Sequence, residues 1–82
     1  MTITELAKIL SDMYDNAAEG EKVTMIHLFG IKYAKYIRGN WYSLSDIIES
    51  TRLANGMQMN KSYVTEINKG INLAKYVNPK SI

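Results

Sequence analysis

Residues 43–76 read SLSDIIESTRLANGMQMNKSYVTEINKGINLAKY, and their pattern indicates the fold. It predicts two helices joined by a turn, a short one over residues 44–53 and a longer one over residues 61–76. In the longer helix, apolar residues recur at spacings of three, four and three, so they form one stripe that would pack against a core. The stripe consists of Val64, Ile67, Ile71 and Ala74.

Each of these helices has a signal at its start. Ser43 followed by Asp46 is an arrangement like a capping box, with Asp in place of the usual Glu. We expect Asn60, or else Ser62, to cap the longer helix. Between the helices, Asn55-Gly56 is expected to form the bend of the turn.

These residues resemble a helix-turn-helix unit. Such units read as an acidic or polar residue, two apolar or small residues, a short turn, a Ser or Asn cap, then an aromatic or Thr and a Val. Asp46-Ile47-Ile48 matches the first part, Leu53 the apolar residue of the turn, and Asn60-Lys61-Ser62-Tyr63-Val64 the start of the second helix. This chain departs from the pattern in having Ile48 where a small residue is usual, and in a longer turn over residues 54–59.

The whole chain also resembles a group of small bacterial helix-turn-helix-like proteins of uncharacterised function. The segments that carry this resemblance are GEKVTMIHLFGIKYA, residues 20–34, and SYVTEINKGINLAKYV, residues 62–77. It implies a DNA-binding role. We therefore predict one domain over residues 1–82, an all-α, compact bundle of four helices that contains a helix-turn-helix-like pair with a lengthened turn.

The N-terminal helix is predicted from a stripe of apolar residues. Thr4 is its expected cap, its acidic face lies outside the stripe, and Gly20 suits the turn that follows. The stripe contains Leu6, Ile9, Leu10, Met13, Tyr14 and Ala17. We expect this helix to act as a scaffold that lies away from any DNA, because its acidic face would be repelled by phosphates.

The next helix is predicted from Met25, after a short extended entry over residues 23–25, with Gly39 as its stop. A strand over residues 23–31 is the alternative, because β-branched residues are frequent there.

Gly30 indicates a close contact with a neighbouring helix. Gly70, in the 61–76 helix, costs about 1 kcal/mol relative to alanine. Gly70 would allow another helix or a DNA backbone to approach closely, or it is a tolerated defect.

Trp41 and the tyrosines allow two interpretations each. Trp41 follows Gly39-Asn40 in a short connector, where it is expected to close one side of the core, or else to be an exposed anchor for a partner. The tyrosines interleave with lysines and arginines, which suits stacking and phosphate contacts on nucleic acid as well as packing in the core.

The charge is distributed unevenly. The net charge is +2, but residues 1–30 carry two lysines against five acidic residues, a balance of −3, and residues 31–82 carry a balance of +5. Such a domain would be oriented in the field of a polyanion. Chance variation among solvated surface charges would give the same balance.

Several classes of protein are excluded or disfavoured by composition. Hydrophobic residues make up 46% and charged residues 22%, so the chain is globular rather than disordered. It has no cysteine, which excludes disulfides and thiolate metal sites and fits a reducing cytoplasm. We see no signal peptide and no apolar run long enough to cross a membrane, so we expect a cytoplasmic protein.

Catalysis, a cofactor and a metal are not expected. The chain has no Gly-rich phosphate loop, no metal-ligand cluster and no nucleophile beside a base. His27 is the only histidine, and it is expected to be a partly exposed or hydrogen-bonded surface residue.

The polar face of the longer helix is the predicted site, and its expected partner is double-stranded DNA. Six residues would enter the major groove, while Tyr63, Lys75 and Arg52, with the long turn, would hold phosphates. The six are Lys61, Ser62, Thr65, Asn68, Lys69 and Asn72. One such helix buries little DNA surface, so specific binding would need a homodimer or a larger assembly.

The alternative function is a non-catalytic protein-interaction module or adaptor that uses the same pair of helices. Leu73 projects away from the apolar stripe and would supply an apolar contact, as would the loop Met57-Gln58-Met59. Arg38 and Arg52 are the only arginines, a small number for a DNA-binding protein, which keeps this alternative open.

Overall fold

The computed structural model describes residues 1–56 and 59–77. Over these residues the chain forms helices α1 (Ile3–Asp15), α2 (Lys22–Gly39) and α3 (Leu44–Ala54), then a 3-10 turn (Lys61–Tyr63) that leads directly into α4 (Val64–Leu73). The all-α class is confirmed, since these residues contain no strand. The strand alternative over residues 23–31 and the extended entry over residues 23–25 are wrong, because α2 begins at Lys22.

Helix α2 lies at the centre of the packing. It packs most extensively against α4 and also against α1, while α1 packs against α3, and the contact between α3 and α4 is small. Side chains from all four helices meet in one buried cluster, which includes Leu10 of α1, Phe29 of α2, Ile47 of α3 and Ile67 of α4. The two helices of the predicted pair are therefore held together chiefly through α1 and α2.

Helix α1 begins two residues earlier than expected. Its cap is Thr2, not Thr4, because Thr2 and Glu5 form a capping box. The backbone N–H of Glu5 donates to Thr2 Oγ1 at 3.1 Å, and the N–H of Thr2 donates to Glu5 Oε1 at 2.9 Å. Thr4 lies inside the first turn, and Ala17, which we placed in the stripe, lies beyond the last helical residue Asp15.

Two glycines allow α2 and α4 to cross in backbone contact. A Cβ at Gly30 would lie 2.5 Å from the backbone oxygen of Ile67 and 2.9 Å from Gly70 Cα. A Cβ at Gly70 would in turn clash with the carbonyl oxygen of His27. The prediction for Gly30 is confirmed, and of the alternatives for Gly70 the close approach of a helix is observed.

Helix α2 ends in a Schellman turn in which a tryptophan takes the place that glycine usually holds. The N–H of Tyr42 donates to Ile37 O at 3.1 Å, and the N–H of Trp41 donates to Arg38 O at 3.3 Å. Trp41 has a φ of +57°, in the left-handed region. Gly39 is the last helical residue, as expected, but the reversal of the chain occurs at Trp41.

The expectation that Trp41 closes the core is wrong, because its side chain is 92% exposed. The left-handed turn directs the indole outward and brings the next residue inward. Tyr42 is half-buried against the core, and its hydroxyl donates to the carbonyl oxygen of Met1. Tyr42 therefore occupies the position that we had expected Trp41 to fill.

The connection between α3 and α4 is anchored by Met59, which is 1% exposed within the core. Leu53, predicted as the apolar residue of the turn, is instead 72% exposed. Met59 is thus unavailable as a surface contact, and Met57 and Gln58 lie outside the described residues. Gly56, at the predicted bend, has a φ of +71°, which glycine adopts without strain.

The boundaries of the predicted pair are largely confirmed. Ser43 caps α3 by accepting from the N–H of Asp46 at 3.3 Å, and Asn60 Oδ1 accepts from the N–H of Ser62 at 2.8 Å. The predicted helix over residues 61–76 is too long, because it starts as a 3-10 turn and α4 ends at Leu73. There the chain tightens, and the N–H of Tyr76 donates to Leu73 O at 2.9 Å, only three residues back.

Candidate nucleic-acid interface

The outer face of α4 presents the polar residues expected from the sequence. The helix is buried along Ile67, Gly70 and Ile71, which places the opposite side in solvent. All six predicted groove contacts are exposed: Lys61, Ser62, Thr65, Asn68, Lys69 and Asn72. The last four, which lie within α4, we call the outer face of α4. It combines a hydroxyl, two amides and one ammonium, groups that hydrogen-bond to base edges and phosphates.

Two of the predicted phosphate contacts are less accessible. Tyr63 is half-buried, and its ring packs against that of Tyr14 with centroids 5.9 Å apart. Arg52 is also half-buried, near the end of α3. Tyr63 thus helps to join the 3-10 turn to α1, and a contact of Tyr63 or Arg52 with DNA stays a prediction.

A polar network ties α4 to α2. His27 Nε2 lies 2.7 Å from Glu66 Oε1, and Lys69 Nζ donates to Glu66 Oε2 at 3.3 Å. The hydrogen bond from His27, assisted by Lys69, holds the pKa of Glu66 below its ordinary value. His27 is thus a hydrogen-bonded, half-buried residue, as expected. Its partner lies 39 positions away in the chain, so no local spacing could have revealed it.

A cleft between the C-terminal half of α2 and the end of α4 gathers four basic residues. It has a volume of about 510 Å³, and its described lining includes no acidic residue. The basic residues are Lys32, Lys35, Arg38 and Lys75, and the others are Ile31, Ala34, Ala74 and Val77. In the described part of the chain, none of the four cations forms an ion pair with a carboxylate. We call this the basic cleft.

Only Lys75 of the basic cleft was a predicted site residue. The signal for the other three was present in the sequence, because Lys32, Lys35 and Arg38 recur at intervals of three. On a helix that spacing places side chains on neighbouring turns of one side. That Lys75 joins them follows from the packing of α4 on α2, which no local pattern indicates.

A second cavity, of about 440 Å³, lies on the other side of Arg38. Its walls are formed by the end of α2, the connector to α3 and one side of α4. We call it the Trp41 groove, and it is lined by Ile37, Arg38, Trp41, Tyr42, Leu44, Asn68 and Ile71. Arg38 Nη2 donates to Asn72 Oδ1 at 3.3 Å and lines both cavities. The outer face of α4, the basic cleft and the Trp41 groove therefore form one continuous surface.

The described residues contain no group of three or more His, Asp or Glu side chains placed to hold a metal ion. Within the same residues, none of the helices has the length and apolar character needed to cross a membrane.

Comparison with known proteins identifies the family. A family model described as an HTH-like domain matches residues 2–80, which include all four helices and both cavities. A search of curated proteins and a search of solved structures each found no significant match. The resemblance to helix-turn-helix-like domain proteins is thus confirmed over nearly the full length. The chain belongs to the family of HTH-like domain proteins.

Proposed function

We propose that this protein binds double-stranded DNA, with α4 in the major groove, as a transcriptional regulator or an accessory DNA-binding domain. The observation that carries the proposal is the exposed polar face of α4 beside a cleft that gathers four cations, none of which forms an ion pair with a carboxylate of the described residues. Membership of the HTH-like family supports it, since helix-turn-helix folds commonly place one helix in the major groove.

The dimensions of α4 suit this role. Its 10 residues correspond to a rod about 15 Å long, and the major groove is about 12 Å wide, enough to admit one helix. At about 3.4 Å per base pair, such a helix reaches about four base pairs. Asn68 and Asn72 are the residues best suited to read bases, because a side-chain amide can pair with adenine through two hydrogen bonds.

The basic cleft would hold the phosphates that flank the groove. Lys35, Arg38 and Lys75 are exposed, and each cation placed on a phosphate releases a counterion from DNA. Lys69 contributes less to phosphate binding, because it forms an ion pair with Glu66. Five of the eight acidic residues lie within residues 1–21, in or just after α1, which packs against α2 and α3. We expect α1 to face away from the DNA.

The test is binding to duplex DNA of random sequence over a series of salt concentrations. Each phosphate contact contributes about 0.9 to the slope of log affinity against log salt. We expect the double variant Lys35→Ala/Lys75→Ala to lower the slope by about 2. The matched control is Lys8→Ala, which removes an exposed lysine of α1 and should leave the slope unchanged. Absence of binding even at about 50 mM salt would exclude the proposal.

A second variant separates base contacts from phosphate contacts. Asn68→Ala should leave binding to random sequence nearly unchanged but reduce discrimination among sequences selected for tight binding. The expected loss is about 1–3 kcal/mol at one base position. We also propose that the protein is bacterial and acts in the cytoplasm, where the chromosome lies.

The second candidate function is a non-catalytic interaction module, and one exposed apolar patch favours it. Leu73 is 42% exposed and lines a shallow cavity with Tyr76, which is 81% exposed. The patch would hold a second copy of the chain or a protein partner. Leu73→Ser would then weaken self-association in sedimentation experiments without changing the salt dependence of DNA binding.

A further inference from the structure

Trp41 combines three properties. It is 92% exposed, it has a φ of +57°, and it lines a cavity. An indole that is exposed to water contributes no hydrophobic stabilisation to the fold. In addition, a large residue in the left-handed region is strained. Glycine would fit the same Schellman turn without strain. Because Trp41 is strained and its side chain does not pack against the protein, the side chain is expected to bind a ligand.

The Trp41 groove has the chemistry of a site for a flat ring with an attached anion. Ile37 and Ile71 are buried and provide an apolar floor, while Trp41 provides an exposed aromatic face. Asn68 adds an amide at the rim, and Arg38 adds a guanidinium. The groove volume of about 440 Å³ is within the range of small-ligand sites, about 300–1,000 Å³.

The neighbouring surface indicates which ligand this is. Arg38 also lines the basic cleft, so a chain of phosphates held on Lys35 and Lys75 would lead directly to the indole. Neither cavity has an acidic residue in its described lining. Aromatic side chains beside a basic groove are the arrangement by which proteins hold single-stranded nucleic acid.

We infer that the Trp41 groove binds an unpaired nucleotide of DNA, whose base stacks on Trp41 while its phosphates lie in the basic cleft. The inference rests on the proposed function, because the paired part of the same DNA would lie on α4. A base within a duplex cannot fill the groove, since both of its faces are covered by neighbouring base pairs. The protein should therefore prefer duplex DNA that has a single-stranded extension or an extruded base.

The experiment compares four labelled probes by fluorescence anisotropy. They are a short blunt duplex, the same duplex with a thymidine extension of about five nucleotides at either the 5′ or the 3′ end, and the single strand alone. The extension should raise affinity about ten-fold, because stacking on an aromatic residue contributes strongly for each base held. Trp41 is the only tryptophan, so quenching of its emission reports directly on the groove.

Variants identify the indole as the cause. Trp41→Ala should abolish the gain from the extension and leave the affinity for the blunt duplex unchanged, whereas Trp41→Phe should retain most of the gain. Tyr76→Ala, which removes another highly exposed aromatic residue outside the Trp41 groove, should keep the whole preference. Circular dichroism of each variant checks that the helices are intact.

The outcomes separate this inference from the proposed function. Equal affinity for blunt and extended duplexes, with unchanged Trp41 emission, would overturn the inference and leave duplex binding intact. Absence of binding to either duplex would overturn the proposed function. Tight binding to the single strand alone would support the nucleotide site and remove the role of α4 in duplex recognition. Loss of self-association in Trp41→Ala, with no change in DNA binding, would instead assign the groove to a protein contact.

Discussion

At the scale of single residues, the Schellman turn at Trp41 has three effects on the chain around it. It ends α2, turns Tyr42 inward and leaves Ser43 in position to cap α3. The left-handed conformation disfavours a side chain by about 1–2 kcal/mol. Backbone hydrogen bonds from Trp41 and Tyr42 hold the turn in spite of this cost. The turn therefore depends on backbone geometry and not on the indole.

Trp41→Gly should stabilise the protein by about 1 kcal/mol, because glycine adopts the left-handed region freely and little packing is lost. Trp41→Ala is the control. It removes the indole but keeps a Cβ, so its free energy of unfolding should stay within about 0.5 kcal/mol of the wild type. Denaturation in urea measures the free energy of unfolding of both variants. A similar loss of stability in the two variants would show that the indole packs against the protein.

Glu66 gives the stability a dependence on pH in the acidic range. Its pKa is lower in the folded protein than its ordinary value of 4.5, chiefly because of the hydrogen bond from His27. Folding therefore favours the ionised form. The resulting stabilisation is complete above the ordinary value and is lost as the pH falls through the lowered pKa.

Glu66→Gln should accordingly lower the melting temperature at neutral pH, and the difference from the wild type should shrink as the pH falls below about 4. Glu49→Gln serves as the control, because Glu49 is exposed on α3. Thermal melts followed by circular dichroism over a pH series measure the effect. A difference that is the same at every pH would show that ionisation of Glu66 is not its source.

At the scale of elements, the crossing of α2 and α4 sets the position of the candidate interface. Gly30 and Gly70 remove the side chains that would otherwise separate the two backbones. The lengthened α3–α4 connection is compatible with this crossing, because Met59 inserts into the core just before the cap Asn60. The orientation of the α4 outer face therefore depends more on α2 than on α3.

Gly70→Ala should destabilise the protein by about 1–3 kcal/mol, because the new Cβ would meet the backbone of α2 at His27. Gly39→Ala is the matched control, since a Cβ there meets no atom within 4 Å. With the higher helix propensity of alanine, it should be neutral or stabilising by up to about 1 kcal/mol. Chemical denaturation measures the stability of the two variants. Equal changes in the free energy of unfolding would contradict the close crossing of α2 and α4.

At the scale of the whole molecule, one buried cluster receives side chains from all four helices and from the connection at Met59. Within residues 1–56 and 59–77 no pair of helices encloses a core of its own, so we expect all of them to unfold together. This is also what the prediction of a single domain over residues 1–82 requires. The candidate interface lies on the basic part of the surface formed by α2 and α4, away from most of the acidic residues.

Unfolding should therefore be a single cooperative transition, with the same midpoint by circular dichroism and by hydrogen exchange of core amides. The emission of Trp41 should shift little in this transition, because the indole is already in water in the folded protein. Two separate transitions would contradict the shared core. A large shift of Trp41 emission to longer wavelength would contradict the exposure of the indole.

Predictions from the sequence were most accurate where neighbouring residues determine the outcome. The caps Ser43 and Asn60 were identified, and so was the buried stripe through Ile67 and Ile71. The cap of α1 lies two residues before the predicted Thr4. Thr4 is also a suitable cap residue, but Thr2 forms a capping box with Glu5. The large apolar ring of Trp41 predicts burial, but the indole is exposed because the backbone turn decides its direction.

Local sequence patterns are sufficient to predict the all-α class, the helix-turn-helix-like pair and the polar face of α4. These depend on periodicity and capping, in which each residue acts on others within one or two turns. Three features arise from tertiary packing: α4 rests on α2, Glu66 contacts His27, and Lys75 joins the basic residues of α2. These depend on contacts between segments distant in the chain. The burial of the whole core selects such contacts, and no local pattern encodes them.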